Sequence, residues 1–235
     1  MPAHVKITTV LAFIIVCVST PITQWRAFIA YFIAIYAVSL IAKIPTPTLL
    51  VRSLIEIPFI FFAILMPFFG TGERFEAGPF NLYRESLLAG AGIVVKGTLG
   101  VLSAVILSTS TTAREILRGL EKLHLPKLMV QIAAFMLRYV NVISDEMERM
   151  KVARESRGFI ATGLKDWRVI ATAASALFIR SYERGERVHL AMLSRGYAGI
   201  LPHDQSVGAP IKIWLQALVL PLFALSVLIS TIVIG

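Results

Sequence analysis

The chain has 235 residues, of which 57% are hydrophobic and 16% charged, against roughly half apolar and about a quarter charged in soluble domains. That imbalance excludes an ordinary soluble domain. Its net charge of +9, from 23 Lys and Arg against 14 Asp and Glu, points to nucleic acid or to an anionic membrane face; the apolar runs favour the membrane and argue against nucleic acid.

Cys17 is the single cysteine, so no intrachain disulfide forms, and the four histidines are scattered without metal-ligand spacing. Residues 7–20 and 27–42 are the first two apolar runs, both short, separated by Pro21-Ile-Thr-Gln-Trp-Arg26. They read as a tight helical hairpin with Trp25 at an interface. The first run lacks an Ala-x-Ala-like cleavage site and is expected to be retained. A third span is predicted over residues 53–69, kinked where Glu56, Pro58 and Pro67 interrupt it. Residues 86–110, which carry Lys96, and 211–234 complete five predicted spans.

Between the last two spans the composition changes. Residues 111–212 hold 16 of the 23 basic and 10 of the 14 acidic residues, which places this stretch in the cytoplasm by the positive-inside tendency. Five spans then put the N-terminus inside and the C-terminus outside. Three helices are predicted here. The first covers residues 112–125, with Thr112 and Glu115 as a capping box. The second starts at Pro126 and runs to about Arg157. Its Met129, Ala133, Met136, Leu137, Val140, Ile143, Met147 and Met150 fall at spacings of three and four, one buried amphipathic stripe, with Asp145 and Arg149 paired on the other side. The third runs from Asp166 to about Arg195. Its small residues from Ala171 to Ala176 allow close crossing, and Glu183 pairs with Arg187. At 1.5 Å per residue each long helix is some 45 Å, the length of a rigid arm.

Both arms finish on one phrase: Ser156-Arg157-Gly158-Phe159 and Ser194-Arg195-Gly196-Tyr197. Glycine after a basic last turn, followed by an aromatic, is a good helix stop. The repetition admits a second reading. Arginine presents a permanently charged planar fork suited to an acidic groove on a partner, and two identical tips fit two similar receiving grooves.

Within the apolar runs, Glu56 and Lys96 either pair with one another or a partner, or snorkel to an interface. No G-x-x-x-x-G-K-[ST] loop is present, so ATP binding by this chain is not expected. The glycines of residues 88–100 lie in an apolar span, where they serve helix packing better than a dinucleotide. Neither a nucleophile with its base nor a metal cluster is legible.

The run Arg180-Ser-Tyr-Glu-Arg-Gly-Glu-Arg-Val-His-Leu-Ala-Met-Leu-Ser-Arg-Gly-Tyr-Ala-Gly199 resembles the transmembrane T component (EcfT family) of energy-coupling-factor ABC importers, closest to the cobalt and nickel type, CbiQ. Residues 111–120 and 126–159 fit the same family, as does the order of four spans, a helical domain and a last span. The resemblance implies an all-α integral membrane protein of about five transmembrane helices, with a cytoplasmic three-helix coupling domain inserted before the last. The domains are then 1–110, 111–210 and 211–235. It further implies that Ser156, Arg157, Gly158, Ser194, Arg195 and Gly196 dock two cytoplasmic ATPase subunits, or an ATPase homodimer. The family commonly has Ala where this chain has Ser156 and Ser194. A separate substrate-binding S component would share the prokaryotic cytoplasmic membrane. ATP and Mg would be bound by the ATPases, leaving this chain non-catalytic, with no cofactor and no metal ligand. Cobalt is the expected cargo; nickel or a vitamin such as biotin are the alternatives, and a stand-alone secondary transporter is the reading from a different class.

Overall fold

The computed structural model describes residues 1–69, 74–77, 80–159, 166–199 and 210–234. In chain order these form α1 (Ala3–Ser19), α2 (Trp25–Ile41), α3 (Thr46–Ser53), a 3₁₀ turn (Leu54–Glu56), α4 (Ile57–Phe69), β1 (Arg74–Ala77), β2 (Phe80–Tyr83), α5 (Arg84–Ser110), α6 (Ala113–Lys122), α7 (Lys127–Glu155), α8 (Trp167–Leu193) and α9 (Ile211–Ile234). The chain folds as two compact units, Met1–Gly119 with Gly208–Gly235, and Leu120–Val207. The helical architecture of a multi-pass membrane protein is as expected. The short antiparallel hairpin is an addition, with Arg74 opposite Tyr83 and Ala77 opposite Phe80.

In the first unit α5 is the central helix, packed against α1, α2, α3 and α4, while α9 lies on α1 and α2. The core joins Phe13, Tyr31, Leu99 and Ala224, all fully buried. Tyr31 meets Phe13 edge-on at 5.9 Å. Its hydroxyl lies 3.1 Å from that of Thr20 and donates to the Ala224 carbonyl at 3.2 Å. One buried polar atom thus ties three helices together with its hydrogen bonds satisfied. Small residues set the spacing of α5. A Cβ on Gly90 would come within 2.7 Å of the Ala63 carbonyl oxygen, and one on Gly92 within 3.5 Å of Ile22; the glycine run is a packing surface.

Two lysines cap the partner helix. Lys6 Nζ donates to the Ser110 carbonyl at 2.7 Å, and Lys96 Nζ to the Val18 carbonyl at 2.7 Å. Each ammonium reaches carbonyls that a helix C-terminus leaves unpaired, where the helix dipole also favours a cation. The pairings, residue 6 with 110 and 18 with 96, run α1 antiparallel to α5. Lys96 is therefore occupied by a backbone carbonyl rather than by Glu56, and Glu56, only 3% exposed, does not snorkel.

Three further expectations shift. By length and composition four helices among the described residues are long and apolar enough to cross a membrane: Thr46–Phe68, Glu85–Ser110, Lys127–Glu155 and Ile211–Ile232. The predicted first two spans are 17-residue helices, about 26 Å each at 1.5 Å per residue, slightly short of a bilayer core about 30 Å thick. The third span begins at Thr46, not Ser53, because Pro47 sits in the first turn of α3, where proline costs nothing. The interruption at Glu56 is a 3₁₀ turn in which the Ile57 N–H bonds the Leu54 carbonyl. α7 also meets the length and apolarity of a span, although its sequence turns densely charged from Asp145 onward. At the start of α6 the capping box forms: the Thr112 N–H donates to Glu115 at 2.9 Å, and the Glu115 N–H to the Thr112 hydroxyl at 3.4 Å. The Thr112 N–H and then the Thr112 hydroxyl, which also donates to the carboxylate at 2.9 Å, hold the Glu115 carboxyl below its usual range.

Candidate functional site: the ends of two long helices

The second unit is dominated by α7 and α8, 29 and 27 residues long, about 43 and 40 Å at the α-helical rise. Pro126 is the N-cap of α7 rather than its first residue, and Asp166 takes the N-cap position of α8. Glu146 joins the arms, accepting from Arg180 of α8 at 2.6 Å and from Arg149 of its own helix at 2.9 Å. The expected partner of Arg149 was Asp145. Glu146 wins because it is level with Arg180, and two guanidiniums then converge on one carboxylate. Glu183 and Arg187 do approach, at 3.9 Å. Phe135, Tyr139, Ile143 and Leu177 line an apolar cleft beneath the Glu146–Arg180 bridge.

A second tie lies at the start of α7. Gln131, 6% exposed, donates through Nε2 to the Gly199 carbonyl at 3.0 Å and accepts from the Tyr197 hydroxyl at 3.1 Å. As the numbering rises along α7 from Gln131 to Glu146, partners fall from Tyr197 to Arg180. The arms are antiparallel. Their C-terminal tips consequently lie at opposite ends of the pair, on the order of 40 Å apart by helix length.

The tips share one geometry. At the first, Gly158 has φ +78°, its N–H bonds the Glu155 carbonyl at 2.9 Å, and the Phe159 N–H bonds that of Arg154 at 3.1 Å. At the second, Gly196 has φ +81°, with Leu193 and Met192 as the corresponding acceptors at 2.9 and 3.0 Å. Both are left-handed glycine closures that satisfy carbonyls left over at the helix end. Ser156 and Ser194 turn their hydroxyls back to the carbonyls of Val152 and Leu190, at 2.9 and 3.0 Å. Arg157 and Arg195 are left as the outward groups; both are exposed, and neither ion-pairs with another described residue.

The tips differ in how they are held. Gln131 anchors the second one, a role that sequence reading passed over, though a lone amide between Val130 and Ile132 was the available signal. Replacing it, Gln131→Leu, removes two hydrogen bonds worth about 0.5–1.5 kcal/mol each. Amide exchange should rise on the order of tenfold or more across residues 195–199 and stay unchanged at 157–159; an equal rise at both tips would contradict this anchor.

The stripe of α7 is not buried in this chain. Met129, Met136, Val140 and Met147 are more than half exposed, since α8 covers only one side of the helix. Phe178 and Ile179 of α8 are likewise exposed. Apolar surface on this scale is more than a charged, solvent-facing helix pair ordinarily leaves open. The hydrogen bonds from Arg149 and then Arg180 hold the Glu146 carboxyl below its usual range. A lowered native pKa adds stability that is complete above the ordinary carboxylate value and is lost as pH falls through the lowered one. Acidification below the usual glutamate range should therefore loosen the arms, and Glu146→Gln should abolish that acid step in exchange protection around residue 180.

A core of apolar helices, with a second unit of two antiparallel helices that end in exposed arginine tips, defines a multi-pass helical membrane protein. Residues 1–207 match the family model described as CbiQ, cobalt transport protein, and the chain belongs to that family. It is 29% identical over 222 residues to a putative fused cobalt transport protein CbiMQ of Methanocorpusculum labreanum, covering 89% of this chain and 37% of that protein. It is 28% identical over 213 residues to the energy-coupling factor transporter transmembrane protein EcfT of Listeria innocua, covering 83% and 78%. An uncharacterized protein of Methanocaldococcus jannaschii is 30% identical over 146 residues, covering 60% and 54%. The chain thus spans about half or less of the length of the first curated relatives it matches. Over most of its length the chain is thus similar to proteins named as membrane transport components.

Proposed function

We propose that this chain couples ATP hydrolysis by two cytoplasmic ATPase subunits, or an ATPase homodimer, to a separate substrate-binding membrane protein. The observation that carries the reading is the pair of matching tips. Ser156-Arg157-Gly158 and Ser194-Arg195-Gly196 present one exposed guanidinium each, at the two far ends of an antiparallel helix pair. Two equal plugs at opposite ends fit two equal grooves. Arginine supplies bidentate, charge-assisted bonding there, and rods about 40 Å long carry displacement without bending. In this reading the tips and the N-terminus face the cytoplasm of a prokaryotic cell. ATP and Mg bind the ATPases, and this chain performs no chemistry. The exposed apolar residues of α7 and α8 support a scaffold that is completed by other subunits.

The cargo proposed is cobalt, which the names of the family and of the CbiMQ relative support; nickel or a vitamin would use the same coupling. The test is uptake by cells expressing this chain with its genomic neighbours, comparing cobalt with nickel. ATP-dependent cobalt accumulation that needs this chain is expected. ATPase activity or micromolar cobalt binding by the purified chain alone would overturn the assignment.

A further inference from the structure

The ionisable side chains nearest the middle of the third and fourth predicted spans are Glu56, eleventh of the 23 residues Thr46–Phe68, and Lys96, twelfth of the 26 residues Glu85–Ser110. They sit on facing helices at one level. Glu56 Oε1 lies where a Cβ on Gly97 would be 2.6 Å away, so the carboxyl rests against α5 one residue from Lys96. Yet the two are not bonded. Oε1 is the one buried side-chain polar atom without a hydrogen-bond partner among the described residues, while Lys96 Nζ donates to the Val18 carbonyl at 2.7 Å. Other nearby donors are committed elsewhere. Arg52 points Nη1 toward the Ser108 hydroxyl at 3.5 Å, and Ser53 gives its hydroxyl to the Leu49 carbonyl at 2.8 Å.

A buried carboxyl oxygen without a donor is costly, and inside a membrane such a group marks a working site whose partner should be sought. Lys96 is next in line. Its flexible four-carbon stem pivots readily, and Gly97 places no side chain between it and the acid. Its present seat is a helix-end carbonyl of α1, and the alternative seat lies where the third span is already broken into a 3₁₀ turn. We propose that the Lys96 ammonium has a second seat on Glu56, giving the membrane unit two states. In the state described here α5 holds the end of α1. In the other it releases that end and grips the broken third span. Neither state depends on the arginine tips.

The test uses the full chain in lipid vesicles, alone and co-expressed with its genomic neighbours, treated with the membrane-permeant dicyclohexylcarbodiimide. The reagent activates the Glu56 carboxyl. If the Lys96 amine reaches it, having given up its proton, an amide forms, the urea leaves, and the joined peptides weigh one water less than their sum. A Glu56–Lys96 cross-link in the wild-type chain, absent from Glu56→Gln, is the expected result. Reagent retained on Glu56 as the N-acylurea without a cross-link, or no modification of Glu56, overturns the second seat. A cycle of Glu56→Gln, Lys96→Met and the double variant gives an independent reading. The drop in melting midpoint of the double should be smaller than the two single drops combined, and strict additivity overturns the proposal.

Discussion

Reversing both tips, Arg157→Glu with Arg195→Glu, should abolish co-purification of the ATPase subunits while leaving the chain folded and in the membrane. Both side chains are exposed, and neither ion-pairs with another described residue, so their reversal costs the chain itself little; exposed substitutions usually stay within about 0.5 kcal/mol. The cost falls on docking. Truncating one partner of a buried hydrogen-bonded charge pair costs about 2–5 kcal/mol, and reversal adds repulsion. Two tips together should weaken assembly by at least on the order of a thousandfold, at roughly tenfold per 1.4 kcal/mol. Each single variant should retain a weakened complex, because one plug still engages. Uptake in cells should fall to background for the double variant. Retention of the complex and of full transport would end the coupling role.

The second large effect is expected in the membrane unit. Gly90→Val should lower the melting midpoint in detergent and reduce the yield of monodisperse protein. At this position the first atom of any side chain would approach the Ala63 carbonyl oxygen to 2.7 Å. The obstacle is backbone, so no rotamer relieves it and α4 must separate from α5. Overpacking of this kind costs about 1–3 kcal/mol, occasionally more, and valine adds two methyl groups to the clash. Gly100→Ala is the control: nothing lies within 4 Å of its Cβ position, and alanine favours helix over glycine by about 0.5–1 kcal/mol. A Gly90→Val chain that melts with the wild type would show that α4 and α5 do not pack at this distance.

The features readable from the chain alone are those whose causes lie within one turn of helix. The Thr112–Glu115 box closes over three residues. The closures at Gly158 and Gly196 use donors and acceptors at most five residues apart. Apolar helices, the charged stretch between them and the phrase shared by both arm ends follow from composition and repetition. These determined that the protein is helical, membrane-embedded and tipped by two matched arginines.

What the tertiary structure decided depends on register between elements distant in sequence. Gln131 bonds residues 66 and 68 positions away, and nothing in its local pattern states which turn of the opposing arm will be level with it. The same holds for Glu146, which took Arg149 from Asp145 because Arg180 arrived beside it, and for the Met129–Met147 stripe, whose period is that of a buried face although α8 leaves it uncovered. For Lys96 and Glu56 both pairing and snorkelling stand open on the sequence, because helical periodicity records charge and spacing only. It does not record that α1 ends level with Lys96 and offers a free carbonyl. Local free energy chose the helices and their caps; the long-range fit of α1 to α5 and of α7 to α8 chose the partners of Lys6, Lys96, Gln131 and Glu146.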